Sequence, residues 1–258
     1  MNKINHLFSE RGDKKILSLY FCAGTPTLQG TGEVIKTMER RGISMIEVGI
    51  PFSDPLADGP VIQAAATNAI HNGMSLKLLF DQLESIKEEV NVPLILMGYL
   101  NPILKFGIEK FCKRCKEAGV SGAIIPDLPF KDYMDTVKPI ADNYDLRIIM
   151  LITPETSEER IRFIDEHTDG FIYMVSSAAI TGAQNNFDDA KQAYFKRINA
   201  MNLHNPRMIG FGISNKQTLE SAQNNAAGAI IGSKFVTLLD TYKKPEKALD
   251  ELFDALKK

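Results

Sequence analysis

Residues 44–60 read SMIEVGIPFSDPLADGP. Met45 to Ile50 form a short, nearly continuous apolar run, the pattern of a strand covered on both of its faces. Glu47 interrupts that run. A loop with Pro51, Pro55 and Pro60 follows and carries two further acids, Asp54 and Asp58. Side chains alternate along a strand, so Ile46, Val48 and Ile50 share one side while Glu47 and Gly49 share the other. The fold then depends on what else in the chain resembles this strand.

Seven more runs do: ILSLYFCAG, PLILMGYL, GAIIPDL, RIIMLIT, GFIYMVSS, RMIGFGIS and AGAIIGS. They recur at intervals of roughly 25 to 45 residues, with helical patterns between them. In SLKLLFDQLESIKEEV, Ser75 is an expected N-cap, and Leu76, Leu79, Leu83 and Ile86 fall on one face. Parallel strands require such crossovers, and eight of them close into a (β/α)8 TIM barrel. A doubly wound open sheet is the alternative, but the glycine fingerprint expected after its first strand is absent. No linker or low-complexity segment divides the chain, so residues 1–258 are expected to form one barrel domain. Two helices lie outside the eightfold repeat. One is N-terminal, with Ile4, Leu7 and Phe8; the other is PEKALDELFDALKK near the C-terminus.

Composition narrows the function. A net charge of -2, with no basic stripe, gives nucleic-acid binding no electrostatic support. The apolar runs are too short to span a bilayer, and the first residues lack a secretory h-region, so the chain is expected to be cytoplasmic. Cys112 and Cys115 form a CxxC, yet with Ile108, Phe111 and Ala118 they follow helical spacing and are expected in a core. No metal site is expected. His6, His71, His167 and His204 stand in polar contexts and are expected at the surface.

In a barrel of this kind, chemistry gathers where the strands end at their C-terminal side. Strand two supplies Glu47, with Asp54 and Asp58 on its loop. Strand four runs into Asp127, strand six carries Tyr173, and strands seven and eight end in GFGIS and GAIIGS. Gly210, Gly212, Gly232 and Ser233 suit a phosphate cradle, with Ser233 capping a short helix whose positive end faces the anion. The alternative for these glycines is tight turns alone. If Glu47 faces the barrel mouth, desolvation raises its pKa into the range of a proton donor and acceptor near neutrality. The other reading turns it outward or pairs it with a base. Asp58, on a loop, is expected to stay ionised, so two carboxylates in different surroundings would divide the acid and base roles.

These residues carry a resemblance. IEVGIPFSDPLADGPVIQ resembles the signature of the tryptophan synthase alpha subunit family. LMGYLNPI, GAIIPDLP, YMVSSAAITGA, GFGIS and GAIIGS follow in that family's order over essentially the whole chain. The resemblance implies a TIM barrel that cleaves indole-3-glycerol phosphate to indole and glyceraldehyde 3-phosphate by a retro-aldol reaction. It implies Glu47 as general acid/base and Asp58 as the carboxylate facing the indole N–H. It places Tyr20 and Tyr173 at the substrate, and Thr181 on a mobile loop where its hydroxyl engages the aspartate. Gly182, Gly212, Gly232 and Ser233 would hold the phosphate. It further implies a pyridoxal-phosphate beta subunit as partner, in an alpha2beta2 heterotetramer, contacted near Pro51, Asp54 and Asp127. No cofactor is expected in this chain. Ala179 departs from the pattern, standing where the family usually has glycine, which bears on lid closure and turnover.

Two other readings stand beside it. A non-catalytic activator of a beta subunit would have no use for the carboxylate pair. A Schiff-base aldolase would need a lysine at a strand end, and only Lys234 comes near.

Overall fold

The computed structural model describes residues 1–176 and 189–257. Eight strands close into one barrel: β1 (Ile16–Cys22), β2 (Met45–Gly49), β3 (Leu94–Met97), β4 (Val120–Ile124), β5 (Arg147–Ile152), β6 (Ile172–Val175), β7 (Arg207–Gly210) and β8 (Gly228–Ile231). Every neighbouring pair is parallel, and β8 returns to β1 with Ile16 opposite Gly228. All eight strands fall where the apolar runs predict them. The fourth begins two residues earlier, because Val120 pairs with Leu94 before Gly122 takes up the register against Ile95.

Alternation along the strands sorts side chains into two cores. Ile16, Met45, Ile95, Ile124, Ile149, Met208 and Ile230 pack inside the barrel. Leu19, Ile46, Val48, Leu96, Ile148 and Ile209 pack outward under the helices. Glu47 shares the parity of Met45 and therefore faces inward. The outer helices are bound by the faces their spacing predicts. On helix Leu76–Ile86 the buried residues are Leu79, Phe80, Leu83 and Ile86, and Ser75 Oγ accepts from Leu78 N–H as its N-cap.

The helix Lys3–Glu10 closes the barrel's N-terminal end. Ile4 is fully buried within the inner core, and Phe8 packs against Phe171 with ring centroids 5.8 Å apart. Asn2 anchors this plug: its side-chain oxygen accepts from Ile4 N–H, and its amide nitrogen donates to the carbonyls of Ser121 and Asp145. The helix Pro245–Lys257 buries Ala248, Leu249, Leu252 and Leu256, and Asp250 pairs with Arg41. Cys112 and Cys115 are buried in the helix Ile108–Glu117, as their spacing predicts. His6, His71 and His204 are exposed, while His167 is half-buried, its Nδ1 2.8 Å from the Phe163 carbonyl oxygen. No helix among the described residues is long and apolar enough to cross a membrane.

Candidate active site

A cavity opens at the C-terminal mouth of the barrel. Its wall takes Tyr20 from β1, Glu47 from β2, Tyr173 from β6 and Ile230 from β8. Loops add Asp58 after β2, Phe211 and Gly212 after β7, and Gly232 and Ser233 after β8. Glu47 and Asp58 therefore line one space, which their separation in sequence does not by itself require.

Glu47 is 0% exposed. Ser18 Oγ donates to its Oε1 at 3.4 Å, and Oε2 is without a hydrogen-bond partner among the described residues. Burial disfavours the ionised form and pushes the carboxyl up to about 8, against a smaller opposing effect of the Ser18 hydroxyl. The group thus sits where both its protonated and ionised forms are accessible near neutral pH.

Asp58 is built differently. Its loop folds back through Asp58 N–H to the Pro55 carbonyl, and Gln63 Nε2 donates to the Asp58 carbonyl at 2.8 Å. Tyr99 Oη donates to Asp58 Oδ2 at 3.1 Å and accepts from Ala57 N–H at 2.9 Å. The Tyr99 ring is held by Phe52, 5.4 Å away. Burial raises the Asp58 carboxyl above its ordinary value too, with the Tyr99 hydrogen bond working in the other direction. The loop aspartate expected from sequence to stay ionised is thus partly buried, and its carboxylate accepts from a phenol donor. Tyr99 was not singled out from sequence, since nothing local links it to a residue 41 positions away.

Two glycines seat the two tyrosines. A Cβ on Gly49 would lie 2.1 Å from Tyr20 Oη, and one on Gly210 would lie 2.2 Å from Tyr173 Oη. Each ring lies across the neighbouring strand at a position where only glycine leaves room. Gly210 is thus a ring seat, a role that neither the phosphate-cradle nor the tight-turn reading supplies. Both phenols are pushed well above their ordinary value by burial, with the Glu47 and Asp58 charges adding to it, so they stay protonated donors.

Phe211 is a further residue that sequence reasoning passed over. It has a φ of 69°, and Gly212 follows with 81°, so two successive residues take the left-handed conformation. For a phenylalanine this is a strained choice, held here by Ser176 Oγ donating to the Phe211 carbonyl at 2.6 Å. The result brings the Phe211 ring edge-on to Tyr173, 5.9 Å between centroids. Past β8, Gly232 is the N-cap and Ser233 the first residue of the helix Ser233–Tyr242, a one-residue correction to the expected cap. That helix start borders the cavity, and Lys234 is the one lysine lining it among the described residues.

The residues expected at a partner surface lie on the same end of the barrel. Pro51 is half-buried, and Asp54 is exposed and accepts from Ser53 Oγ. Asp127 is exposed and accepts from Leu100 N–H at 2.8 Å, capping the helix Leu100–Phe106. Leu56, between Asp54 and Asp58, is 90% exposed. It lines a second cleft with Asp58, Tyr99 and Pro126 that shares Tyr20, Met97 and Phe211 with the first. Thr181, Gly182 and Ala179 lie outside the described residues.

Fold and cavity together define a TIM-barrel protein of the enzyme type, with two carboxylates gathered at the C-terminal mouth. A family model described as tryptophan synthase alpha chain matches residues 8–257. The chain is 69% identical over 258 residues to the tryptophan synthase alpha chain of Phocaeicola vulgatus, covering 100% of both chains. It is 65% identical over 257 residues to that of Bacteroides thetaiotaomicron, again covering 100% of both. Among solved structures, tryptophan synthase subunit alpha from Legionella pneumophila superposes with a TM-score of 0.89 at 32% identity, covering 99% of this chain and 97% of that one. The chain belongs to the tryptophan synthase alpha chain family. It is accordingly the carbon–carbon lyase component of tryptophan synthase, the retro-aldol cleavage of indole-3-glycerol phosphate being this family's reaction, and a beta subunit is its implied partner.

Proposed function

We propose that the cavity at the barrel mouth is where indole-3-glycerol phosphate is bound and cleaved, with Glu47 as the proton carrier. The reading rests on one observation: Glu47 and Asp58 line a single cavity, and burial holds Glu47 up to about 8. Protonated Glu47 gives its proton to indole C3, converting the ring to an indoleninium whose positive charge is shared by nitrogen. Asp58 accepts the N–H hydrogen bond and stabilises that charge. The resulting Glu47 carboxylate then takes the proton of the glycerol hydroxyl next to C3. The carbonyl forms as the C–C bond breaks, and the bonding electrons return to the ring to restore indole. Glu47 ends as it began, so each cycle is balanced in protons.

Tyr20 and Tyr173 supply the walls against which the indole ring packs. Gly212, Gly232 and Ser233 receive the phosphate, which the N-terminus of the helix Ser233–Tyr242 attracts through its exposed N–H groups and dipole. Pro51, Asp54 and Asp127 mark the rim that meets a beta subunit in an alpha2beta2 assembly, where the pyridoxal phosphate belongs to the partner. Indole then leaves toward that subunit for tryptophan synthesis.

The test is the Glu47→Gln variant assayed for indole release from indole-3-glycerol phosphate. Amide replacement keeps shape and removes the transferable proton, so turnover is expected to fall by about 10³-fold, within the span of general acid–base effects. Substrate binding should survive. Near-normal turnover in this variant would remove Glu47 from the mechanism.

A further inference from the structure

Ser18 stands out in β1. It is a hydroxyl 0% exposed within ILSLYFC, flanked on both sides by leucine. Ser18 pairs across the strands with Met45, and Tyr20 with Glu47, so Ser18 sits one inward-facing layer below the carboxyl. Its Oγ, 3.4 Å from Glu47 Oε1, is the one hydrogen-bond donor to that side chain among the described residues. The other oxygen, Oε2, is buried without a partner. Across the neighbouring strands Glu47 lies opposite Ile95 on β3 and Tyr20 on β1.

We infer that Ser18 is a positioning residue: its hydroxyl tethers Glu47 through Oε1 and leaves Oε2 as the oxygen that exchanges the proton with substrate. This rests on the catalytic reading of Glu47 given above. The logic is one of lone pairs. A carboxyl that both gives and takes a proton needs one oxygen held and the other uncommitted, or it loses its aim between the two half-reactions. A hydroxyl is suited to the held side, because it donates to Oε1 whether the group is COOH or COO⁻. A cationic partner there would lock the group in the ionised state, and no partner at all would leave the side chain free to rotate within its apolar layer.

The tether also bears on titration, since a hydrogen bond to the carboxylate favours the ionised form. Other titratable groups line the same cavity as Glu47. Tyr20 comes from β1, Tyr173 from β6, Asp58 from the loop after β2, and Lys234 from the helix after β8. The two phenols are protonated throughout, and Asp58 is answered by Tyr99. None of them is altered by a change at Ser18.

The experiment pairs two readouts on the full chain. Ser18→Ala is followed by 13C NMR of the Glu47 carboxyl through a pH titration, and by the pH dependence of kcat/KM for indole release. The carboxyl is expected to titrate about 0.5 to 1 pH unit higher than in the parent, the scale of one lost hydrogen bond. The alkaline limb of kcat/KM should move up with it, since the acid form that protonates C3 then persists to higher pH. Turnover at neutral pH should drop several-fold from lost aim. Ser18→Thr keeps the hydroxyl and is expected to restore both titrations, and thermal melting establishes that each variant is folded.

An unchanged carboxyl titration in folded Ser18→Ala overturns the tether. A carboxyl that shifts while the activity limb stays in place overturns instead the proton-transfer role of Glu47, and with it the catalytic part of this inference. A Ser18→Thr variant that is folded and still behaves like Ser18→Ala shows that side-chain volume, not the hydroxyl, was being felt, and overturns the tether too.

Discussion

The two ends of this barrel are built from the same strands and obey opposite rules. At the N-terminal end the helix Lys3–Glu10 drives Ile4 into the inner core, and Asn2 satisfies its polar atoms on three backbone partners. At the C-terminal end a glutamate is buried with one oxygen unpaired, and a phenylalanine is held at positive φ. One end collects stabilising contacts and the other spends some of them on keeping reactive groups in place. Changes at the two ends should therefore separate stability from activity.

The sharpest separation comes from Glu47→Gln at the mouth, with its expected loss of about 10³-fold in turnover. The same variant removes an acid from an apolar layer, so urea denaturation at neutral pH should show a chain as stable as the parent or more so. A variant that is both inactive and strongly destabilised would collapse the contrast between the ends.

The pH dependence of folding comes next. Glu47 has a folded value of about 8, above its ordinary 4.5. Between those two values the native state holds a proton that the unfolded chain has released. Stability from this group is thus full below about pH 4.5, falls as pH rises toward 8, and levels off beyond. At about 1.4 kcal/mol per unit, the drop is of the order of 5 kcal/mol before other groups are counted. Urea unfolding at a series of pH values, parent against Glu47→Gln, isolates it: the variant should lack this slope. Equal slopes would mean that Glu47 titrates in solvent-like surroundings.

At the sealed end, Ile4→Ala should cost about 2 to 4 kcal/mol by opening a cavity in the inner core, read as a lower urea midpoint. The kcat/KM pH profile should keep its shape. A displaced alkaline limb would show that the plug communicates with the mouth. The smallest effect is expected on the rim. Asp127→Ala removes the acceptor for Leu100 N–H and should cost about 1 kcal/mol. If the rim meets a beta subunit as proposed, the same change weakens binding to that subunit in titration calorimetry while the isolated chain keeps its indole release.

Much of this architecture was legible in the chain. Eight apolar runs with helical spacing between them are enough to demand parallel strands, and strand parity alone puts Glu47 on the side opposite Ile46 and Val48. Ser75 as a cap and the buried Cys112–Cys115 face follow from local chemistry in the same way. The site was less legible. Glu47, Asp58, Tyr20 and Tyr173 were named in sequence and stand around one cavity. Tyr99, Phe211 and Ser18 were passed over, because each acts on a residue reached only through the closed barrel. Gly210 reads in sequence as a cradle or tight-turn glycine, since a glycine at a strand end gives no sign of which ring will cross it.

Period and punctuation in the sequence therefore determined the strands, the helices and the face to which each side chain turns. These are consequences of backbone geometry within a few residues, and need no knowledge of neighbours. The tertiary structure alone decided which strand lies beside which oxygen: Ser18 under Glu47, Tyr99 beside Asp58, and Gly49 and Gly210 beneath the two phenols. Those pairings depend on the register of β1 against β2, of β2 against β3 and of β6 against β7. Register is settled by packing the whole inner core at once, and a shift of one residue would turn Glu47 out among the helices.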